Sequence, residues 1–395
     1  MISSDSPKRY HKPTILQVVP ALFSGGVERG TIEVAKMLKK VDYNVIVVSF
    51  GGSLVEELVA AGVPHIFMNS ATKNPLTIWK NARILSEIIK EYNVDIVHAR
   101  SRAPAWSCYM AAKATGAKFL TTFHGVYNIF HGVYNISNPF KHFYNSVMVK
   151  GEKIIAVSNF VKHHILINYQ ILEDQIVVIY RGVDYNYFDP KNVTEEKLLK
   201  HKKKYGISNN TPIILLPSRM TSWKGHLTLV EALGKLKHLD FYCLMVGDLS
   251  KHPNFTNRVK SLINLLKLQS KIQIFGNESD MLSLYGVSDI VISTSIEPEA
   301  FGRTITEGQS MEKLVIATNI GGAIETILDK KTGFHVKPND AVDLAEKIEH
   351  CLSILKTNEG KKIQQAARKA VIDNFSLDLM LSKTLDLYKK MLKKT

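Results

Sequence analysis

Short runs of apolar, often β-branched residues alternate along this chain with longer stretches in which apolar residues recur every three or four positions. Residues 15–19, 45–50, 96–98, 119–123, 154–157 and 177–179 read as strands. Between them, 28–40, 54–61 and 79–92 read as amphipathic helices. In the last of these, Trp79, Ala82, Leu85, Ile88 and Ile89 fall on one face, which predicts a buried stripe. Strands separated by helices in this way imply parallel sheets covered by helices.

The pattern then restarts. Residues 213–216, 242–246, 272–275, 290–293, 315–317 and 334–336 form a second set of predicted strands. The segment 189–210 is polar and Lys-rich and ends in Gly206 and Asn209-Asn210, so it reads as a linker or hinge. A final helix is predicted over 377–394. The expected fold is α/β: two Rossmann-like doubly wound domains, 1–188 and 189–375, facing each other across a cleft, with 376–395 packing back on the first. Open sheets of this kind bind ligands at the carboxyl ends of their strands, so chemistry is expected in the loops that follow strands.

Composition narrows the class. A chain of 395 residues suits two such domains. Apolar content of 45% is ordinary for a globular protein. No apolar run reaches the ~18–20 residues that span a bilayer, and the stretch 15–23 reads as a buried strand, not a secretory leader. Three widely separated cysteines, Cys108, Cys243 and Cys351, fit reduced core thiols in a cytosol. No Cys/His or Asp-x-Asp grouping suggests a metal site. The net charge of +15, with dense clusters at 197–204 and 389–394, suits an anionic partner, a solvated basic surface being the plain alternative.

One segment is unusual: residues 123–129, Phe-His-Gly-Val-Tyr-Asn-Ile, are repeated without change as 130–136. Two copies make no repeat array, so the duplication reads as a loop insertion beyond a strand end.

Three loops carry candidate chemistry. After the first strand, Gly25-Gly26-Val27-Glu28-Arg29-Gly30 opens a helix whose free N–H groups suit an anion. It lacks the Gly-x-Gly-x-x-Gly spacing of a hydride enzyme. After the first strand of the second half, Arg219 and Lys224 stand in a loop that opens a helix, a spacing able to clamp a diphosphate. The third segment, 297–308, holds Glu299 and Glu307 around a Phe301-Gly302 turn. Were all eight steps helical, the two carboxylates would lie about 12 Å apart, beyond the ~5–9.5 Å of a glycosidase acid/base pair. They suit gripping two parts of one extended polar ligand.

Together these loops resemble family 4 of the glycosyltransferases, which have the GT-B fold. Glu299 and Glu307 match the Glu-x7-Glu signature, Arg219 and Lys224 the basic pair, and Gly25-Gly26 the glycine loop. Arg181-Gly182-Val183-Asp184 looks like the crossing between domains, and Ala156-Val157-Ser158 and Gly321-Gly322 also fit. Segments 25–30, 99–106 and 299–304 are similar in style to enzymes that add a hexose, often mannose, to the lipopolysaccharide core. The resemblance implies a nucleotide-sugar donor, retention of anomeric configuration and no metal or other cofactor. It implies that Arg219 and Lys224 neutralise the leaving diphosphate. Glu299, with the N–H groups of Phe301 and Gly302, would hold sugar hydroxyls, and Glu307 the ribose. Arg303 and Thr304, at the helix start, and Phe275, beside the base, complete the donor contacts. A His-Gly after a first-domain strand would lie near the transferring sugar. The duplication offers both His124 and His131 for it, and His124 is the choice because a strand end fixes it. Glu312 and Leu314 stand where the family usually has Gly and Pro, which predicts strain or a differently ended helix there.

The best reading is a hexosyltransferase using GDP-mannose and a lipid-linked acceptor at an anionic membrane surface, peripheral on the inner face of the cytoplasmic membrane. A UDP-sugar transferase (glucose or N-acetylglucosamine) or a sugar-nucleotide epimerase are alternatives on the same fold. A nucleic-acid binder is disfavoured, since no aromatic-basic strand or basic recognition helix is present.

Overall fold

Parallel strands buried on both faces need almost uninterrupted apolar sequence, and both sheets of this protein are built that way. The structure is a computed structural model that describes residues 12–23, 25–127, 130–131, 136–137, 139–207 and 211–393. The chain forms two units. The first runs to Val157, takes in Val161–Ile179 and ends with the chain from Leu381. The second holds Ser158–Phe160 and Tyr180–Met380, so the changeover falls at 179/180, whereas the sequence suggested 188/189.

The first unit's sheet uses β1 (Thr14–Val18), β2 (Asn44–Ser49), β3 (His65–Phe67), β4 (Ile96–Ala99), β5 (Lys118–Phe123), β8 (Lys153–Ala156) and β9 (Ile176–Val178). Their order is β3-β2-β1-β4-β5-β8-β9, all parallel. Between β5 and β8 a small antiparallel pair, β6 (Phe130–His131) and β7 (Ile136–Ser137), carries part of the second heptad copy. The first copy continues straight out of β5. The edge strand β3 was not expected; at three residues it is too short to show a period. The C-terminal helix Leu377–Lys393 supplies core to this unit. The Tyr388 hydroxyl lies 2.7 Å from His98 Nδ1, and His98 Nε2 lies 2.7 Å from Thr122 Oγ1. Burial, and then the charge of Arg100, hold the His98 pKa well below that of an ordinary imidazole.

The helix Pro75–Glu91 starts four residues before its predicted position, capped by the Asn74 side chain. Ala82, Leu85, Ile88 and Ile89 face the core as expected, but Trp79 does not: it is 53% exposed. The buried stripe begins only at Asn81-Ala82, and Leu76 and Trp79 before it are exposed.

The second unit's sheet has β10 (Ile213–Pro217), β11 (Tyr242–Val246), β12 (Ile272–Phe275), β13 (Ile290–Ser293), β14 (Leu314–Thr318) and β15 (Phe334–Val336). All are parallel, in the order β12-β11-β10-β13-β14-β15. The sequence places all six. The supposed linker is a correction. Residues Glu195–Tyr205 form a helix capped by the Thr194 hydroxyl and ended by Gly206 in the left-handed conformation. Its apolar side is narrow, with only His201 and Tyr205 buried, and five lysines conceal the period.

The departure at Glu312 has a conformational counterpart. The helix Arg303–Ser310 ends with Lys313 N–H donating to Gly308 O at 3.0 Å, and Glu312 takes φ +53°. Glycine favours that left-handed position, and a side chain there costs about 1 kcal/mol. The Glu312 carboxylate only approaches Arg368, at 3.9 Å, and is half exposed. Glu312→Gly is therefore expected to raise unfolding free energy by about 0.5–1 kcal/mol in urea titrations. A decrease would show that the position is not strained.

Candidate active site

In the second sheet the chain reverses its direction of winding between β10 and β13, which are neighbours. A doubly wound sheet opens a ligand crevice at the carboxyl ends of such a strand pair. Lys224 follows β10 and Glu299 follows β13. Lys224 Nζ lies 2.7 Å from Glu299 Oε1, with both side chains largely buried. The loop after β10 is shaped for this. Ser222–Lys224 makes one tight turn, and Gly225, at φ +71°, starts the next helix, His226–Lys235. A Cβ on Gly225 would stand 1.8 Å from Thr294 O, so only glycine lets the two loops close this far. Thr294 Oγ1 ties them by donating to Lys224 O at 2.9 Å.

Glu299 Oε1 also accepts from Ser293 Oγ at 3.1 Å and from Ser295 Oγ. Burial pushes the Glu299 carboxyl up, but the Lys224 ammonium and then the two serine hydroxyls outweigh it. The acid is held below the usual carboxylate range. Its backbone is anchored where Gly322 N–H donates to Glu299 O at 2.7 Å; here Gly321, at φ +64°, passes too close for any side chain. Arg219 is exposed, its guanidinium 5.9 Å from the Trp223 ring centre, and Lys224 Nζ lies 4.3 Å from the same ring.

Glu307 belongs to a separate hydrogen-bond set. It is buried in the Arg303–Ser310 helix, accepts from Tyr285 Oη at 2.8 Å and pairs with Arg303 Nε at 2.9 Å. Gly302 starts that helix in the left-handed region at φ +95°. The Phe301 ring is buried against Tyr180 and Phe375, so its side chain is core and only its backbone can meet a ligand. Thr304, in the first turn, is partly exposed. Phe275 ends β12 and packs edge-on against Tyr205, 4.6 Å between centroids.

In the first unit, Gly25 (φ +145°) and Gly26 start the helix Gly26–Lys40 after β1. The Glu28 carboxylate lies against that start, where a Cβ on Gly25 would be 2.5 Å from its Oε2. His124 directly follows β5, partly buried; His131 is in β6, and its side chain lies outside the described residues. The sequence reading missed Tyr285, Ser293 and Ser295, which stand on the two glutamates. No local signal marks Tyr285, whereas Ser293 ends a predicted strand and Ser295 follows it by two residues. Among the described residues no group of three or more His, Cys, Asp or Glu side chains could hold a metal ion.

Two Rossmann-like units, the second with a basic loop and a glutamate loop meeting at its switch point, define a glycosyltransferase of the GT-B fold. Comparison with known proteins agrees. The family model for glycosyltransferase family 4 matches residues 24–187, and that for glycosyl transferases group 1 matches 199–370. A solved glycosyltransferase from Rickettsia africae ESF-5 is 67% identical, with a TM-score of 0.90 over 98% of this chain and all of that one. Two more distant structures share the fold. Anabaena HepE, solved with UDP-glucose, is 21% identical (TM-score 0.81, 95% of this chain and 99% of that one). WaaG, described as a glycosyltransferase involved in lipopolysaccharide biosynthesis, is 17% identical (TM-score 0.74, 94% and 99%). The chain belongs to the family 4 glycosyltransferases.

Proposed function

We propose that this enzyme transfers a hexose from a nucleotide-sugar, with retention and without a metal, onto a lipid-linked envelope glycan such as the lipopolysaccharide core. GDP-mannose is the first donor to test. The observation that carries this reading is the Lys224–Glu299 pair at the strand switch point, with Arg219 in the same loop. As the bond from the anomeric carbon to the diphosphate oxygen breaks, charge builds on the departing phosphate. Lys224 and Arg219 then hold it more tightly than they hold the intact donor, which is binding that accelerates the step. The acceptor oxygen bonds to the anomeric carbon from the same face, and its proton passes to the departing phosphate. Glu299, with the N–H groups of Phe301 and Gly302, holds sugar hydroxyls. Glu307, set by Tyr285 and Arg303, takes the ribose hydroxyls. Thr304 and Phe275 add donor contacts. Gly25, Gly26 and His124 of the first unit keep the roles the resemblance implies. The acceptor places the enzyme at the inner face of an anionic membrane. Among the described residues no helix is long and apolar enough to cross one.

A UDP-sugar is the second reading, favoured by the UDP-glucose bound to the HepE structure. Purified protein incubated with GDP- and UDP-sugars, with and without a deacylated core acceptor, is expected to release GDP from GDP-mannose only when acceptor is present. UDP release instead would move the donor to the second reading. Release independent of acceptor would count against transfer.

A further inference from the structure

Trp79 was expected in the core and is on the surface, and it has company there. Leu76 is 79% exposed one turn earlier on the same helix, and on the helix Pro139–Ser146 Phe140 is 85% and Phe143 66% exposed. The helix Arg102–Thr115 joins these two sets. Trp106 stacks on Phe143 (centroids 5.1 Å apart) and donates from Nε1 to Tyr144 O at 2.9 Å, while its neighbour Ser107 donates to Ile78 O at 3.0 Å. The apolar side chains therefore border one face of the first unit. Leu76, Trp79, Lys80 and Arg83 follow helical spacing, and the Arg83 guanidinium lies 4.9 Å from the Trp79 ring centre.

Acids are sparse along the segments that carry this face, Glu87 being the first on the Pro75–Glu91 helix. No Asp or Glu occurs between Glu57 and Glu87, or between Asp95 and Glu152. The same stretches contain Lys73, Lys80, Arg83, Lys141 and Lys150. Exposed Trp and Phe beside Lys80 and Arg83, with Glu87 one turn further along as the first acid of that helix, match the headgroup level of an anionic bilayer, where amphipathic rings settle and basic side chains meet lipid phosphate. A second copy packed through the same face would set cations against cations. We propose that this aromatic-basic face of the first unit is the surface by which the enzyme docks on anionic lipid. The proposal rests on the membrane acceptor inferred above and locates the contact, which net charge alone leaves spread over the whole chain.

Cosedimentation of the full chain with phosphatidylcholine vesicles, with and without phosphatidylglycerol, tests it. Wild type is expected to bind only the anionic vesicles and to be released at about 0.5 M salt. Leu76→Ser/Trp79→Ser/Phe140→Ser, which leaves the Trp106–Phe143 stack intact, and Lys80→Glu/Arg83→Glu should each weaken binding at least about tenfold. Lys361→Glu/Lys362→Glu makes the same charge change on the second unit and should alter binding less than about twofold. Circular dichroism checks that each variant is folded. Wild-type binding by the apolar triple variant would overturn the proposal. So would equal losses in the two charge-reversed variants, or a face that mediates dimerisation in ultracentrifugation instead of vesicle binding. Transfer to the deacylated acceptor is measured in parallel. Patch-dependent vesicle binding with no transfer from any donor would support the docking face while sinking the transferase reading.

Discussion

Lys224→Met is expected to reduce transfer by about 10²–10³-fold, with a smaller loss in donor affinity. In the proposed reaction the ammonium does most for charge that is absent from the intact donor, so its removal should fall mainly on kcat. Arg219→Met should show the same signature to a lesser degree, because its guanidinium is exposed and water screens it. Acceptor-dependent nucleotide release at saturating donor reads both effects. A Lys224→Met enzyme with unchanged kcat would remove the diphosphate from this loop.

The second large effect is on stability. Among the described residues, Lys224→Met leaves a buried carboxylate with only the hydroxyls of Ser293 and Ser295 as side-chain partners. Breaking a buried pair from one side costs about 3 kcal/mol, more than the pair itself contributes. The double variant Lys224→Met/Glu299→Gln removes the orphaned charge and should recover most of that loss, yet still fail to transfer. Urea unfolding of the single and double variants, beside the activity assay, separates the pair's structural role from its chemical one. Equal instability in both would mean that the charge is solvated. The pH dependence has a definite sign. The folded-state pKa of Glu299 is depressed, so its contribution is present above the unfolded carboxyl's value, near 4.5, and disappears as pH falls through the lower folded value. Lys224→Met should flatten that acid limb.

Both sheets were legible because buried parallel strands leave runs such as Ile-Ile-Leu-Leu and Ile-Val-Ile-Ser that few other structures need. The Arg219–Lys224 and Glu299–Glu307 loops were legible because the glycines that let them turn follow those strands. Pairing across the loops was not. Nothing in the order of residues says that Lys224 is held by Glu299 or that Tyr285 sits on Glu307, because neither partner lies within one helical turn of the other. Trp79 was misplaced because period alone assigns it to the apolar face, while which residues of that face find a packing partner is a tertiary fact. The helix at 195–205 was hidden by the reverse effect: a lysine-rich surface outweighed a stripe of two buried residues.

The His98–Tyr388 contact closes a loop of 290 residues, because Tyr388 is on the last helix. Taken alone, that is a long closure, although its entropic cost grows only logarithmically, about 0.6 kcal/mol per doubling. The second unit shortens it further. Gly182 N–H donates to Met380 Sδ at 3.2 Å, and Val183 is bridged to Ser376, so this unit brings its own entry and exit segments together. Once it has folded, the intervening chain is in effect a short connector, and the last helix reaches the first sheet as though it had been encoded soon after β9. The later-made unit thereby acts as an entropic staple for the earlier one.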